Sequence, residues 1–351
     1  MYVNDIKIWN LTRHLLLFAV LVLCSYWIFI NIYRINAFNI VPHDDYAPYL
    51  LYILGEQGGR VLGAPHAYRI FSVAAAVPFY YILPFFEFSR LENVNVTYLR
   101  AVEALAMVSY VSMLLSCAVI YLITCKKFCA PRPTGIIASL MALLLFQFSG
   151  YTGVDPLGIL IVCLLIFHSG NPVVFGALII ISAGFNEKIS LIFSILMVSR
   201  VLFIKDKRFM PHAILSVLAF ALYLSVRTFL SIPGNEEQMQ FTSFFVTAIA
   251  NFSELTSLKR FVLDVVPVIT LVTLYAFAGK QYKLNPNQYN NYFSIVDISA
   301  LLGLFLITMG IGMQLNIGRV AMYCFPFYLP LAAIYVETLL QKLDGDLPHT
   351  G

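Results

Sequence analysis

Long apolar runs separated by short polar breaks follow one another along most of the chain. The first run extends from Leu15 to about Ile32. A helix needs about 20 apolar residues to cross the ~30 Å hydrocarbon core of a bilayer, and many of these runs approach that length. The pattern therefore predicts an all-α, polytopic integral membrane protein with about ten transmembrane helices. The later spans are expected at 99–124, 135–150, 155–168, 172–186, 188–204, 210–231, 260–278, 293–312 and 320–340.

The composition agrees with this pattern. Hydrophobic residues make up 60% of the chain and charged residues 11%, whereas soluble domains carry about 25% charge. Little sequence is left for a separate soluble domain, so residues 1–343 are expected to form one membrane domain and 344–351 a short cytoplasmic tail. The net charge of +4 is modest and spread over loops, so nucleic acid is not an expected partner.

The orientation follows from the basic residues, because short cytoplasmic loops carry an excess of lysine and arginine. The strongest clusters lie at 126–132, at 200–208 and at Lys280 with Lys283. If all three clusters lie in the cytoplasm, both termini of the chain are cytoplasmic as well. The first helix then leads to the outer face of the membrane.

The apolar run from about Ile70 to Phe86 conflicts with that orientation, since a crossing there would move every later basic loop outside. Pro78 and Pro84 interrupt the run, and each proline removes a backbone donor and bends a helix. We therefore expect a broken juxtamembrane or re-entrant helix, within one external loop spanning about 36–98. A true crossing with weak charge bias is the alternative. A second external loop, with an interfacial amphipathic helix, is expected at about 232–258.

With this topology, many polar residues near helix ends share the outer face. A site with several acids and cations, open to water on one side and walled by apolar helices, suits an anionic lipid head group. The cations can hold a phosphate, and a carboxylate can take a proton from a hydroxyl. The residues concerned are His43, Asp44, Asp45, Arg60, His66, Arg69, Asp155, Glu187, Lys188 and Arg319.

Five short motifs occur in a characteristic order along the chain. They are Asp44-Asp45 after the first helix, Tyr68-Arg69-Ile70 before the proline-broken helix, Asp155-Pro156 opening a helix, Asn186-Glu187-Lys188 at a hairpin tip, and Gly318-Arg319 before the last helix. In this order, from about residue 14 to 336, the chain resembles the GT-C superfamily of integral-membrane glycosyltransferases, and most closely its small bacterial members. Members transfer a sugar from a polyprenyl-phosphate or polyprenyl-diphosphate donor, with inversion at the anomeric carbon.

The resemblance implies a role for each of these residues. Asp44 or Asp45 would be the catalytic base, and Arg319, then Arg69 and Lys188, would balance the charge of the leaving phosphate. A divalent ion, Mg²⁺ or Mn²⁺, held by Asp45 and Asp155, is an open alternative, and no cofactor is required. The remaining substrate-binding residues would be His43, Tyr46, Asp155 and Glu187.

The resemblance also implies partners and a location. The partners would be a polyprenyl-linked sugar donor, a lipid or glycan acceptor and membrane lipids. The protein would lie in the bacterial inner membrane, with its site facing the periplasm or the exterior. Many members have a large soluble C-terminal domain that binds the acceptor; this chain shows none, which leaves the acceptor open.

Each assignment has a competing structural interpretation. Asp44 or Asp45 could cap a predicted helix at Tyr46–Leu54, and Asp155 before Pro156 could equally be an N-cap. Arg319 could anchor the chain at the membrane interface, with its charged end reaching the head groups. Two ion pairs would also account for charged residues without any function: Glu187 with Lys188, and Arg69 with Glu56 or Glu87.

Two further function classes stay open. A secondary transporter or lipid flippase would use Asp264 and Asp297 as coupling groups, since acids inside apolar helices mark polar contacts or proton paths. A lipid-linked glycan polymerase would share much of the glycosyltransferase chemistry. Matching broken helices in the two halves of the chain, which transporters usually have, are not evident.

Overall fold

A computed structural model describes residues 46–60, 69–82, 96–146, 155–203, 205–230, 261–285, 303 and 317–345. Regular structure in these ranges is helical throughout, without any strand, which confirms the predicted all-α class. The first apolar run, the second external loop and all of the predicted span 293–312 except Gly303 lie outside the described residues.

The helices of the described part are numbered in chain order. They are α1 Tyr46–Leu54, α2 Ile70–Ala74, α3 Val77–Ile82, α4 Val96–Leu122, α5 Arg132–Phe146, α6 Asp155–Phe167, α7 Pro172–Ser182, α8 Glu187–Phe203, α9 Met210–Leu230, α10 Val266–Leu284, α11 Ile317–Met322 and α12 Phe325–Gly345. A short π-helical turn at Ile123–Lys127 continues α4, and another at Phe261–Val265 precedes α10. A 3₁₀ turn at Lys207–Phe209 precedes α9.

The helix α4 is the longest in the described part because no glycine or proline interrupts its 27 residues. With the π-helical turn it forms one apolar stretch, Val96–Lys127, that is long enough to cross a membrane. Lys207–Phe229 is the other described stretch that meets this criterion. Both lengths fit a membrane protein.

Neighbouring helices run in alternating directions from α4 to α9. Ser139 in α5 donates a hydrogen bond to the Cys117 carbonyl oxygen near the end of α4, while Lys127, just past α4, reaches the Ile166 carbonyl oxygen at the end of α6. The helices α4 and α6 are therefore parallel to each other and antiparallel to α5. We call the two ends of this bundle the Asp155 end, where α4, α6 and α8 begin, and the Lys127 end, where these three helices finish.

The segments from the predicted first external loop pack at the Asp155 end. Buried residues of α1 and α3, such as Leu50 and Tyr80, form a small apolar cluster with Ala101, Ala104 and Leu105 in the first half of α4. The main core is separate and lies among α4 to α9, α10 and α12. The loop segments therefore cover one end of the bundle.

The run around Ile70 is broken, as its prolines predict. The helix α2 ends at Ala74, α3 begins at Val77, and Pro78 follows in the first turn of α3. Whether this segment crosses the membrane stays a prediction, which rests on the charge bias of the loops.

Candidate functional site

Asp155 is the first residue of α6 and is buried, with 2% of its surface exposed. Pro156 follows it, and proline suits the first turn because that turn has no intrahelical partner for an N–H group. The partial positive charge at a helix N-terminus stabilises a carboxylate at this position. The local sequence thus explains how a buried acid is tolerated here.

The turn between α7 and α8 contains Asn186, which is linked to Asp155 by two hydrogen bonds through Tyr323. The fully buried Asn186 donates from Nδ2 to the hydroxyl oxygen of Tyr323 at 2.8 Å. The Tyr323 hydroxyl in turn donates to Oδ1 of Asp155 at 2.9 Å. Asn186 also accepts the backbone N–H of Lys188 through Oδ1 at 3.1 Å, as an N-cap does. Three segments distant in sequence thus share one polar network.

Arg69 and Tyr46 lie beside the same turn. The buried Arg69 donates from Nη1 to the Tyr46 hydroxyl at 3.0 Å. Two residues further, the Phe71 amide donates to the carbonyl oxygen of Gly184. The Ser72 hydroxyl donates to the carbonyl oxygen of Phe185 at 2.9 Å, so the start of α2 is fixed to the residue preceding Asn186.

A glycine in α6 makes room for the central tyrosine. A Cβ atom on Gly158 would lie 2.6 Å from the Tyr323 hydroxyl oxygen and 2.8 Å from a carbon of its ring. Such distances are well inside van der Waals contact, so any other residue at Gly158 would displace the ring. The close approach of α6 to Tyr323 therefore depends on this glycine.

The structure gathers part of the predicted site and leaves part of it undescribed. Tyr46, Arg69, Asp155 and Lys188 all lie at the Asp155 end. For two further residues only the backbone is described: Glu187 begins α8, and Arg319 lies in α11, about one helical turn before Tyr323. The predicted residues outside the described part are His43, Asp44, Asp45 and His66.

The predicted metal ligands are not brought together within the described residues. In that part of the chain no three His, Cys, Asp or Glu side chains are grouped so that they could hold a metal ion. Asp155 has Oδ1 occupied by the Tyr323 hydroxyl, and Asp45 lies outside. A divalent ion at this site stays a prediction.

Tyr323 is the main residue that sequence reasoning missed. It stands in an apolar stretch and is one of 21 tyrosines, so its residue type carries no signal. The one hint was position, since Tyr323 follows Gly318-Arg319 by about one helical turn. Asn186 belonged to a predicted motif, but its contact with Tyr323 was not expected.

Asp264, considered in sequence as a transporter coupling group, has a structural contact. It is buried, and its Oδ1 accepts the backbone N–H of Gly318 at 3.2 Å. This bond satisfies a donor near the start of α11 and joins that helix to the turn before α10. The contact favours a structural role for Asp264. Asp297 lies outside the described residues.

The Asp155 end therefore offers two kinds of group close to one turn. A buried guanidinium suits a phosphate or carboxylate, and a buried carboxylate accepts hydrogen bonds from hydroxyl or amide groups. An uncharged apolar metabolite would bind to neither of these groups.

No family model, curated protein or solved structure matches the chain.

Proposed function

We propose that the protein is an inverting membrane glycosyltransferase that uses a polyprenyl-phosphate or polyprenyl-diphosphate sugar. The observation that carries the proposal is the convergence of Arg69 and Asp155, both buried, on the α7–α8 turn at one end of an apolar helical bundle. The cation suits the phosphate of such a donor, and the carboxylate suits its sugar. The order of the five sequence motifs supports the same function.

The proposed membrane arrangement has about ten transmembrane helices and cytoplasmic termini. The Asp155 end faces the exterior or the periplasm of a bacterial inner membrane. The alternating helix directions agree with this topology. The helices α6 and α7 have only 13 and 11 residues, or about 20 and 17 Å. Helices shorter than the bilayer core imply a thinned or water-filled region at one end, where a lipid phosphate could meet the site.

In the proposed reaction, Asp44 or Asp45 takes the proton of an acceptor hydroxyl. The acceptor oxygen forms a bond to the anomeric carbon while the bond from that carbon to the donor phosphate oxygen breaks. The phosphate leaves with the electron pair from the opposite face of the sugar, so the configuration inverts. Arg69, with Lys188 and Arg319, would balance the charge on the departing phosphate.

The contact of Asp264 bears on the alternative of a transporter. A coupling acid must exchange its proton or ion during transport, whereas the Asp264 carboxylate binds a backbone amide near the start of α11. That contact favours the enzyme over a transporter built around Asp264. A glycan polymerase would share the proposed chemistry and differ in its acceptor.

A transfer assay with purified protein and a panel of polyprenyl-phosphate sugars tests the proposal. Loss of a general base typically costs 10²–10⁴-fold in rate, so either Asp44→Asn or Asp45→Asn should lower transfer by at least about 100-fold. Arg69→Gln should lower kcat/KM by roughly 10-fold or more, through the lost charge. Arg208→Gln, at the exposed Lys127 end, is the matched control and should stay within about 2-fold of wild type.

Two results would contradict the proposal. One is a folded wild-type protein that transfers no sugar from any donor in the panel. The other is full activity in folded Asp44→Asn and Asp45→Asn variants, which would remove the base from the mechanism.

A further inference from the structure

Two polar side chains lie side by side on the buried face of α9, near the Lys127 end. His212 has 5% of its surface exposed and Ser216 has none, and residues four apart share one face of a helix. Within the part of the chain that the structure describes, neither ring nitrogen of His212 nor the Ser216 hydroxyl makes a hydrogen bond. Buried polar atoms in proteins are almost always bound to protein groups, water or a ligand, so this pair needs a partner.

The Ser216 hydroxyl departs from the usual behaviour of serine in a helix. Such a hydroxyl commonly donates to the carbonyl oxygen four residues earlier, as Ser194 in α8 and Ser225 in α9 do. For Ser216 that carbonyl oxygen belongs to His212, and the bond is not made. The hydroxyl can therefore bind another group beside the imidazole.

Aromatic rings and one cation surround the His212 side chain. Its ring centre lies 4.7 Å from that of Phe175 in α7 and 5.4 Å from that of Phe209. Its edge approaches the Ser169 backbone and the Lys127 ammonium. Apolar walls exclude water and so strengthen the attraction between a cation and an anion. The charge of a ligand here is therefore determined largely by Lys127.

The α6–α7 turn adds further donors and some open space. The Lys127 ammonium has three N–H groups, and it donates to the Ile166 carbonyl oxygen and to the Ser169 hydroxyl. Its third N–H can bind a further acceptor, and the Ser169 hydroxyl keeps its own proton to donate. A Cβ atom on the next residue, Gly170, would have no atom within 4 Å. A ligand could approach Ser169 from that side.

The acid nearest to His212 in the sequence is already bound by cations. Asp206 pairs with the guanidinium groups of Arg200 and Arg208. The Lys127 ammonium is the charged group that approaches the imidazole. A charged ligand that complements these surroundings is therefore an anion that accepts several hydrogen bonds.

We propose that the Lys127 end binds a phosphate group through Lys127, Ser169, His212 and Ser216. A phosphate carries negative charge and several acceptor oxygens, which match one ammonium, two hydroxyl groups and an imidazole N–H. In the proposed membrane arrangement this end faces the cytoplasm. The phosphate then belongs to the head group of an anionic lipid in the cytoplasmic leaflet, or it is free inorganic phosphate. The site is separate from the Asp155 end and does not depend on the transfer reaction.

The test is the melting temperature of the full chain in micelles of an uncharged detergent. One series adds sodium phosphate, with sodium chloride at equal ionic strength as its reference. The other adds phosphatidylglycerol, with the zwitterionic phosphatidylcholine as its reference. A ligand that binds the folded state raises the melting temperature as its concentration increases. A rise above the reference with inorganic phosphate identifies free phosphate as the ligand, and a rise with phosphatidylglycerol alone identifies a lipid head group.

Two variants show whether the rise comes from this site. Ser216→Ala and His212→Phe each remove a hydrogen bond to an anion, and each should raise the concentration that gives half of the effect by at least about 10-fold. Ser225→Ala is the matched control, because Ser225 lies on the same helix with its hydroxyl bound to the Ala221 carbonyl oxygen. It should respond as wild type does. If His212→Phe does not fold, the smaller change in Ser216→Ala decides the question.

Three results would overturn the proposal. The first is a melting temperature that rises above the reference in neither series. The second is an equal response in wild type, Ser216→Ala and folded His212→Phe, because phosphate also stabilises folded proteins through its exclusion from their surface. The third is a pair of variants that melt above wild type without ligand and respond to it as wild type does. That result would show two buried polar groups that bind nothing.

Discussion

The two ends of the helical bundle use polar side chains in different ways. At the Asp155 end, side chains bind other side chains from segments far apart in sequence: Asn186 binds Tyr323, and Tyr323 binds Asp155 across 168 positions. At the Lys127 end, several polar side chains bind the ends of helices or nearby loop residues, although Thr134 also donates to Glu337 across 203 positions. Lys127 donates to the carbonyl oxygen of Ile166 at 3.0 Å and to the Ser169 hydroxyl at 2.6 Å.

The contacts at the Lys127 end are of the kind that complete helices and loops. The last carbonyl groups of an α-helix have no intrahelical partner, and a lysine ammonium commonly binds them. Asp206 accepts the backbone N–H of Arg208 and pairs with the guanidinium groups of Arg200 and Arg208, which closes the loop between α8 and α9. Substitutions there should change stability, whereas substitutions in the Asp155 network should change transfer.

The largest expected effect is that of Gly158→Ala. Its Cβ would lie 2.6 Å from the Tyr323 hydroxyl, so the tyrosine and Asp155 must shift, and displacements of about 1 Å in a reacting site can cost about 100-fold in rate. We expect transfer from the polyprenyl-phosphate donor to fall by about that factor.

Gly170→Ala is the matched control, because Gly170 lies in the turn after α6 at the Lys127 end with no atom within 4 Å of a Cβ. It should leave transfer within 2-fold of wild type. Helix propensity acts in the opposite direction at Gly158, since alanine is favoured over glycine by about 1 kcal/mol inside a helix. A more stable and fully active Gly158→Ala variant would therefore refute the importance of the Tyr323 contact.

The next largest effect is on stability and concerns the Lys127 end of the bundle. Lys127→Met removes the ammonium from the Ile166 carbonyl and the Ser169 hydroxyl, and a hydrogen bond to a charged group contributes about 1.5–3 kcal/mol. The free energy of unfolding in detergent should fall by about 2 kcal/mol, with the KM for the donor unchanged. Lys126→Met, at the exposed neighbouring position, should change neither quantity, and equal destabilisation by both substitutions would contradict the capping role.

The smallest effect concerns Asp206. Hydrogen bonds from the Arg208 side chain, with smaller contributions from Arg200, lower the pKa of Asp206 to about 2. Because this pKa is below the usual value near 4, the ionised carboxylate stabilises the fold above about pH 4. That contribution is lost as the pH falls through about 2.

Asp206→Asn should therefore unfold at a lower temperature than wild type near neutral pH. The difference is expected to be small, roughly 1 kcal/mol, since Arg208 is largely exposed to solvent. Melting curves between pH 2 and 7 should show the two proteins converging below about pH 4. A difference as large at pH 2 as at pH 7 would assign the effect to packing.

Local features of the sequence were enough to place several elements. Asp155 followed by Pro156 predicts the start of α6 at the position where it begins, because proline is suited to a first turn. The proline-broken run predicts the pair α2 and α3. The helix Tyr46–Leu54 occurs with the predicted bounds. Each of these rests on the backbone geometry of a few neighbouring residues.

The sequence also predicted that Arg69, Asp155 and Lys188 would share one end of the bundle. That prediction needed only the alternation of helix directions, which apolar lengths and basic loops determine. The described helices do alternate from α4 to α9, and the three residues do lie at one end.

The apolar pattern by itself determined the all-α class, because a helix satisfies its own backbone groups and needs no information from elsewhere in the chain. Only the tertiary structure decided which residues bind Asp155. The choice of Tyr323 and Asn186 depends on which helices become neighbours and on the few ångströms that Gly158 leaves open. Contacts of this kind arise from close packing of segments more than a hundred residues apart, and residue type alone does not reveal them.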